Sequence, residues 1–387
     1  MPDEISALAK RALSLLSSSK NVLISGPPGT GKSRLLNEVA EAFRKGAMVK
    51  SHGGGAILNH GAAMPIQAPP VATLSPELAA FIPSPEKKNR AVFPTVFHQN
   101  YKHREFVTGV VPAIRKTADG ADFTVLKGKL YLASEHARAT DSAALLIIDE
   151  INRGPAVQIF GGSIVAIEAE KRLGPDGSLR VDTQRFDLID PETGELAPYA
   201  LPNDLYILAA MNQADASVEP LDVAFLRRWE PLALDPDEAA LRSFFGLGPN
   251  QRELPNETAD ARDVFEAAVQ AWVKVNRRVA LGRGPEYQVG HGILMNLGEP
   301  TTAALGTALA AMSRAWGRVR AHVDEVFFGD QRGVAATFNA LDGVQGNPLR
   351  LVETTFAGDL RSELQGPKII PDAQIYAALV AFGHDEP

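Results

Sequence analysis

A glycine-rich loop between a predicted strand and a predicted helix constrains this chain more than any other feature. The strand is NVLIS (21–25), the loop is GPPGTGKS (26–33), and the helix continues through RLLNEVAEAFRK. The loop fits G-x-x-x-x-G-K-[S/T], in which glycines let successive backbone N–H groups turn inward around a phosphate. This order of elements predicts an α/β fold with a parallel sheet and a nucleotide at the loop.

The residues of the loop have separate predicted tasks. Backbone amides surround the phosphates, Lys32 reaches the terminal phosphates, and Ser33 is a ligand for Mg²⁺. The predicted nucleotide-binding residues are Gly26, Pro27, Pro28, Gly29, Thr30, Gly31, Lys32 and Ser33. A Gly/Pro turn that binds nothing is the alternative, and the flanking strand and helix argue against it.

A second predicted strand ends in two acids. In LLIIDEINRG (145–154), four apolar residues run directly into Asp149 and Glu150. On its own this pattern indicates a solvated strand end equally well, because acids commonly follow buried strands. In a chain with a phosphate loop, it predicts that Asp149 holds the metal and that Glu150 is the general base that activates water.

Two further segments supply candidate catalytic residues. DLYILAAMN (204–212) predicts a strand ending at Asn212, which would contact the γ-phosphate or orient the attacking water, because ligands of doubly wound sheets bind at the carboxyl ends of strands. An ordinary strand-ending Asn is the alternative. PLDVAFLRRW (220–229) carries Arg227 and Arg228 after an apolar helical patch. One of them would be an arginine finger toward an adjacent subunit, or both cap the helix.

Composition and charge narrow the function classes. The chain has 387 residues and a formal net charge of −7, so it is not a protein coated with nucleic-acid-binding charge. It has no cysteine, which excludes disulfides and thiolate metal sites. The N-terminus lacks the pattern of a signal peptide, and no segment approaches the roughly 18 apolar residues that span a bilayer. We therefore expect a cytoplasmic protein without a membrane partner.

The region before the second strand contains a loop-rich stretch and a basic stretch. Residues 46–94 contain GGG and several prolines with little apolar periodicity, which predicts an insertion. Residues 86–130 carry nine lysines or arginines and four acids. This excess would face DNA or an acidic partner in the pore of a ring, or form only a solvated face. FTVLKGKLYLA alternates around Lys127 and Gly128, which predicts a β-hairpin over 120–132.

These patterns predict a nucleotide-binding domain over 1–235, an all-helical lid over 236–330 and a C-terminal extension over 331–387. The extension shows one amphipathic patch and no chemistry. The nucleotide-binding domain would contain a five-stranded parallel sheet with strands around 22–25, 95–97, 145–149, 205–210 and 230–234.

The motifs GPPGTGKS, LLIIDEINRG, AAMNQADAS and DVAFLRRW together resemble the AAA+ module of the McrB-like GTPases, the motor subunits of modified-cytosine restriction systems. Four further segments are similar to that family, and the resemblance spans about residues 21–330: VFHQNYKHREFVTG (96–109), IEAEKR (167–172), YQVGHGIL and VDEVFFGD. The phosphate loop alone indicates only a P-loop NTPase, whereas DEINR with MNxxD and FHQxY is specific for this branch.

The resemblance implies Mg²⁺-dependent hydrolysis of GTP, with ATP as the other candidate substrate, in a homo-oligomeric ring of six subunits. It also implies a McrC-like stimulator and nuclease subunit, DNA engaged through the complex, and a role in antiviral defence. Asn212 and Asp215 match the family signature associated with hydrolysis. Arg228 matches the finger, with Arg227 as the fallback. His291 of VGHGIL would begin a lid helix near the nucleotide, or serve only in packing.

Two departures from the family keep other functions open. The family often has an arginine where this chain has Ala216, which would slow catalysis. The family's N-terminal domain that reads methylated DNA has no counterpart in the 25 residues before Gly26, so target recognition would lie in another chain or in the insertion. The alternatives are a MoxR-like ATPase that remodels proteins and a nucleotide-gated scaffold with little hydrolysis.

Overall fold

The computed structural model describes residues 5–45, 79–113, 123–214 and 221–384. The described residues form two compact units. The first unit comprises the chain up to Ser25, 32–211 and 215–232, and the second comprises 26–31, 212–214 and the chain from Ala233 onward. The loop residues Gly26–Gly31 therefore belong with the C-terminal helices, whereas Lys32 belongs with the α/β unit.

The strands and helices alternate through the first unit, and helices predominate in the second. The strands are β1 (Asn21–Gly26), β2 (Asn89–Val96), β3 (Thr108–Pro112), β4 (Phe123–Lys127), β5 (Ser142–Asp149), β6 (Phe186–Ile189), β7 (Leu196–Tyr199), β8 (Leu205–Asn212), β9 (Glu230–Ala233), β10 (Arg350–Phe356) and β11 (Asp359–Gln365). The helices are α1 (Ala7–Ser19), α2 (Lys32–Lys45), α3 (His103–Phe106), α4 (Lys129–Arg138), α5 (Ala156–Phe160), α6 (Ser163–Ala166), α7 (Val223–Leu226), α8 (Glu238–Phe244), α9 (Ala261–Gly282), α10 (Leu305–Val326), α11 (Gln331–Thr337) and α12 (Asp372–Gly383).

The five-stranded parallel sheet is confirmed, with the order β2-β5-β8-β1-β9. Its inner strand β5, which lies between β2 and β8, is buried along its whole length until Asp149, as expected of a parallel strand covered on both faces. The edge strand β2 begins at Asn89, six residues earlier than predicted, and overlaps the predicted insertion. β2 has no strong apolar pattern in the sequence, because its residues are buried irregularly. It also contains Pro94, which an edge strand tolerates. Residues 46–78 of the insertion lie outside the described part of the chain.

The predicted hairpin over 120–132 is wrong. β4 pairs antiparallel with β3, with Thr108 opposite Lys127, and the next residues form α4. Gly128 precedes α4 as its N-cap, and a Cβ there would overlap the backbone of Phe106. The alternation stops at this glycine because Leu130, Ala133 and Ala137 then recur at helical spacing and are buried.

The segment FHQNY and the residues around it form an aromatic cluster in the core of the first unit. The Phe97 ring stacks on Tyr101 with a centroid distance of 5.0 Å and meets Phe106 edge-on at 5.4 Å. Phe106 lies 4.7 Å from Phe160 by the same measure. The Tyr101 hydroxyl lies 2.9 Å from Thr95 Oγ1 in β2. The aromatic residues of FHQNY, a segment similar to the McrB-like family, are therefore explained by packing in this core.

The helices of the second unit share one hydrophobic core that crosses the predicted boundary at 330/331. Phe382 of α12 packs on Trp316 of α10 and on Phe338, with ring centroids 5.5 and 5.2 Å apart. The predicted extension therefore completes the core of the helices before it, because α12 is apolar on most of its faces. β10 and β11 form a hairpin within the same stretch.

In the described part of the chain, no helix combines the length and apolar character that crossing a bilayer requires.

Candidate nucleotide-binding site

The phosphate loop adopts a conformation that its glycines permit. Gly29 and Gly31 have φ angles of +81° and +90°, in the left-handed region that other residues rarely enter. Thr30 is buried and its hydroxyl donates a hydrogen bond of 2.9 Å to the carbonyl of Pro27 across the turn. The Thr30 hydroxyl therefore stabilises the turn of the loop from within.

Lys32 begins α2 and lies close to both predicted acids. A helix N-terminus carries unpaired N–H groups and a positive dipole, so it favours an anion. The Lys32 side chain is buried, and this burial lowers the pKa of its ammonium group to about 8. Glu150 and, more weakly, Asp149 oppose this by raising the pKa, since their charges favour the protonated form. The structure thus brings together the lysine and the two carboxylates.

Asp149 and Glu150 occupy a strained turn at the end of β5. Asp149 Oδ1 accepts a 3.0 Å hydrogen bond from the backbone N–H of Glu150. Glu150 has φ and ψ of 53° and 46°, a left-handed conformation that is costly for a residue with a side chain. Such conformations concentrate at functional sites, where the surrounding structure holds them. Both residues are half-buried, so their carboxylates are neither fully solvated nor sealed in the core.

Arg153 is a site residue to which the sequence analysis assigned no role. Its Nε lies 3.2 Å from Glu150 Oε2, and the two residues are three apart in the turn after β5. The ion pair gives the carboxylate of Glu150 a defined direction. The DEINR motif contains both residues, but their contact depends on the left-handed backbone at Glu150.

The predicted catalytic residues on the next strand are only partly described. Asn212 is the last residue of β8, which lies beside β5 in the sheet. Asp215 and Ala216 lie outside the described residues. Asn212 therefore ends the strand next to the one that carries the acids, and its role toward a nucleotide stays a prediction.

Arg227 and Arg228 differ sharply in their surroundings. Arg228 Nε lies 2.9 Å from Glu168 Oε1, its side chain is 8% exposed, and it also donates to the carbonyl of Ala224. Arg227, at the C-terminal end of α7, is exposed. Arg228, which the family resemblance favours as the finger, is thus paired within its own chain, whereas Arg227 is exposed at the surface.

The IEAEKR segment has a structural role that the sequence analysis did not identify. Besides Glu168, it contains Arg172, which is fully buried. Arg172 Nη2 donates to Asn21 Oδ1 at 2.6 Å, and Nη1 donates to the carbonyl of Leu205. Because Asn21 begins β1 and Leu205 begins β8, Arg172 ties together the starts of two adjacent strands. Glu168 and Arg172 therefore have structural partners within the first unit.

Part of the basic stretch at 86–130 is used inside the first unit. Arg90 is buried and donates three hydrogen bonds of 2.7 Å to backbone carbonyls. Lys87 lies 3.4 Å from Asp204, and Lys127 lies 3.6 Å from Glu192. Arg115 and Lys116 lie outside the described residues. These contacts weaken the interpretation of this stretch as a surface for DNA.

His291 is engaged with the backbone of the second unit. Its Nδ1 accepts a 3.1 Å hydrogen bond from the N–H of Asp237. This contact supports the packing interpretation of His291, since it fixes the start of the short 3₁₀ helix His291–Ile293.

Comparisons with known proteins find an AAA domain and restriction-enzyme subunits. Residues 72–229 match the AAA domain family (dynein-related subfamily). Over 287 residues the chain is 25% identical to the EcoKMcrB subunit of the type IV methyl-directed restriction enzyme of Escherichia coli K12, covering 72% of this chain and 48% of that protein. Over 219 residues it is 28% identical to the type II restriction enzyme BsuMI component YdiS of Bacillus subtilis 168, covering 56% and 57%. The chain thus spans about half the length of these relatives.

Among solved structures, a putative ATPase from Cytophaga hutchinsonii aligns over 82% of this chain and 74% of its own length, at 14% identity and a TM-score of 0.31. The phosphate loop precedes the matched range 72–229 and is independent support. The sheet order and the acids beside Lys32 agree with these matches, so the chain has the fold of the AAA+ P-loop NTPases and is related to McrB restriction subunits.

Proposed function

We propose that this chain is a Mg²⁺-dependent nucleoside-triphosphate hydrolase that prefers GTP and works as the ring-forming motor of a McrBC-like restriction system. The observation that carries this proposal is the position of Lys32 at the start of α2, close to Asp149 and Glu150. A phosphate-binding lysine beside two carboxylates is the minimum arrangement for metal-assisted phosphoryl transfer to water.

The donors near the loop fit Mg²⁺. Ser33 supplies an exposed hydroxyl and Asp149 a half-buried carboxylate, and oxygen ligands are those that Mg²⁺ prefers. When bound, the ion would neutralise charge on the β- and γ-phosphates. Lys32 and the loop amides would hold the same phosphates from the protein side.

Glu150 is the proposed general base. Its carboxylate would accept the proton of the attacking water, and its ion pair with Arg153 would hold it in a constant direction. Asn212, at the end of the adjacent strand, would orient that water or contact the γ-phosphate, and Asp215 would assist it.

We assign the arginine finger to Arg227 rather than Arg228. Arg228 is committed to Glu168 in its own chain, and releasing it would leave a largely buried carboxylate unpaired. Arg227 is exposed and follows directly on the short helix α7. A finger acting on a neighbour's nucleotide requires an oligomer, which agrees with a homo-oligomeric ring, for which six subunits are proposed.

Arg227→Ala is expected to lower the hydrolysis rate by about a thousandfold or more, the usual contribution of a finger, without lowering the melting temperature. Arg228→Ala is expected to lower the melting temperature instead, because Glu168 loses its partner.

The decisive measurement mixes Arg227→Ala with Glu150→Gln subunits. Each variant is inactive alone, and an equal mixture should recover about a quarter of the wild-type sites, those that combine Glu150 with a neighbour's Arg227. A mixture as inactive as its components contradicts a finger acting between subunits.

Substrate and partners are proposed from the family. The two relatives are components of restriction enzymes, which favours a separate McrC-like stimulator and nuclease subunit and DNA engaged through that complex. Phosphate release from GTP and from ATP, with and without Mg²⁺ and the product of a neighbouring gene, tests the whole proposal. We expect GTP to be hydrolysed faster, and only with Mg²⁺. Faster ATP hydrolysis would indicate a protein-remodelling ATPase similar to MoxR instead.

A further inference from the structure

Residues 289–292, here called the strap, contact the phosphate loop through the backbone. The N–H of Gly290 donates to the carbonyl of Pro28 at 3.0 Å, and the N–H of Gly292 donates to the carbonyl of Gly29 at 2.9 Å. All four residues belong to the second unit. A Cβ on Gly290 would overlap the backbone of Gly29, and one on Gly292 would lie 2.8 Å from the Gly29 carbonyl oxygen. Glycine at both positions therefore allows this approach.

The strap determines which way two peptide groups of the loop point. In a trans peptide the N–H lies opposite the C=O, so carbonyls of Pro28 and Gly29 that face the strap direct the N–H groups of Gly29 and Thr30 away from it. Pro27 and Pro28 have no N–H. The N–H groups of Gly29 and Thr30 are therefore the first two backbone donors after these prolines, and the strap orients both of them. Loops of this type bind phosphate through such aligned N–H groups.

The strap is in turn held by the long helix α9. Asn276 Oδ1 accepts from the N–H of Val289 at 2.6 Å, and Asn276 Nδ2 donates to the carbonyl of Val289 at 2.9 Å. Trp272 Nε1 donates to the same carbonyl at 3.0 Å. Asn276, Trp272 and Val289 are each less than 5% exposed. Both backbone groups of a buried strap residue are thus satisfied by side chains of one helix, so α9 fixes where the strap lies.

From this chain of contacts we infer that Asn276 is a positioning residue for the phosphate loop. Through Val289 it holds the strap, and through Gly290 and Gly292 the strap aligns the N–H groups of Gly29 and Thr30 for the phosphates. The inference rests on the proposed function, in which this loop binds a nucleoside triphosphate. It assigns a nucleotide-binding effect to a residue that is buried in α9 and does not touch the nucleotide.

The test measures the dissociation constants of fluorescent, non-hydrolysable GTP and ATP analogues in the full-length protein. Asn276→Leu removes both hydrogen bonds to Val289 at similar side-chain volume and is expected to weaken binding about tenfold, the equivalent of one lost hydrogen bond to a charged group. In the hydrolysis assay KM should rise while kcat changes little, because Glu150 is untouched. Inorganic pyrophosphate should compete less well against the analogue, since the affected donors face phosphate.

Asn347→Leu is the matched control. Asn347 is also in the second unit, and its side chain also holds backbone through both atoms, with Nδ2 donating to Phe338 and Asn339 and Oδ1 accepting from Leu349. We expect a comparable loss of thermal stability in this variant but unchanged nucleotide affinity. Equal affinities in Asn276→Leu and Asn347→Leu would overturn the inference, because the effect of Asn276 would then be only structural.

Two further variants keep the outcomes distinguishable. Gly292→Ala pushes on the Gly29 carbonyl without touching α9 and is expected to weaken binding in the same way, so it tests the inference even where Asn276→Leu fails to fold. Wild-type nucleotide affinity in Gly292→Ala would contradict the proposed role of the strap in aligning the loop. Lys32→Met tests the underlying proposal. Unchanged binding in Lys32→Met would refute nucleotide binding at the loop, whereas lost binding there with intact binding in both strap variants would refute the inference alone.

Discussion

Replacing Glu150 with glutamine is expected to lower the rate of nucleotide hydrolysis by about a hundredfold to ten-thousandfold, the usual contribution of a positioned general base. Glutamine has nearly the same shape but cannot accept the proton of the attacking water. The phosphate-binding groups Lys32 and the loop amides are unchanged, so the dissociation constant of the nucleotide should stay close to that of the wild type. Phosphate release and equilibrium binding of a fluorescent nucleotide measure the two quantities separately.

Glu170→Gln is the control for this prediction. Glu170 is an exposed carboxylate of the same unit, and its replacement changes the net charge by the same amount without touching the turn after β5. Its hydrolysis rate should equal that of the wild type. Equal rates in wild type and Glu150→Gln, measured with the partner subunit present, would instead support a nucleotide-gated scaffold that binds and assembles but barely hydrolyses.

Replacing Lys32 with methionine is expected to remove nucleotide binding at physiological concentrations. Truncating one member of a buried charge pair typically costs on the order of 2–5 kcal/mol, a weakening of about thirtyfold to several thousandfold. The folded protein should be at least as stable as the wild type at pH 7. The reason is that burial lowers the pKa of Lys32 to about 8, so the folded protein holds this proton less tightly than the unfolded chain does.

Thermal melting without nucleotide checks the stability of Lys32→Met, and titration with a fluorescent nucleotide checks its binding. Lys45→Met, at the exposed end of the same helix α2, is the matched control and should bind like the wild type. A Lys32→Met protein that melts at the wild-type temperature yet still binds nucleotide tightly would contradict the proposed site. Added nucleotide should raise the melting temperature of the wild type and of Lys45→Met, but not that of Lys32→Met.

The sequence predicted the parts of this protein that depend on local pattern. The phosphate loop, β5 and β8 were predictable because a strand buried on both faces is a continuous apolar run and its carboxyl end carries the polar residues. The start of β2 was not, because an edge strand that contains Pro94 has only irregular burial. The hairpin was misplaced because an alternating pattern continues across Gly128 in the sequence but not in the backbone.

The support of the site depends on contacts that no local pattern encodes. Glu168 and Arg228 are sixty residues apart in sequence yet form an ion pair that separates the roles of two adjacent arginines. The pairing of Arg153 with Glu150 follows from a left-handed backbone conformation that the sequence DEINR does not reveal. Asn276 and Val289 meet only because the chain returns along α9. Such pairings require the fold before they can be recognised.

The shared core of the second unit has a practical consequence for work with this protein. α12 fills the space between helices α9 and α10, and the loop Gly26–Gly31 belongs to the same unit. An expression fragment that stops at residue 330 would retain every proposed catalytic residue while exposing the apolar faces of both long helices. Its failure to bind nucleotide would then report a collapsed scaffold rather than the chemistry of the site, so fragment boundaries for this chain belong beyond α12.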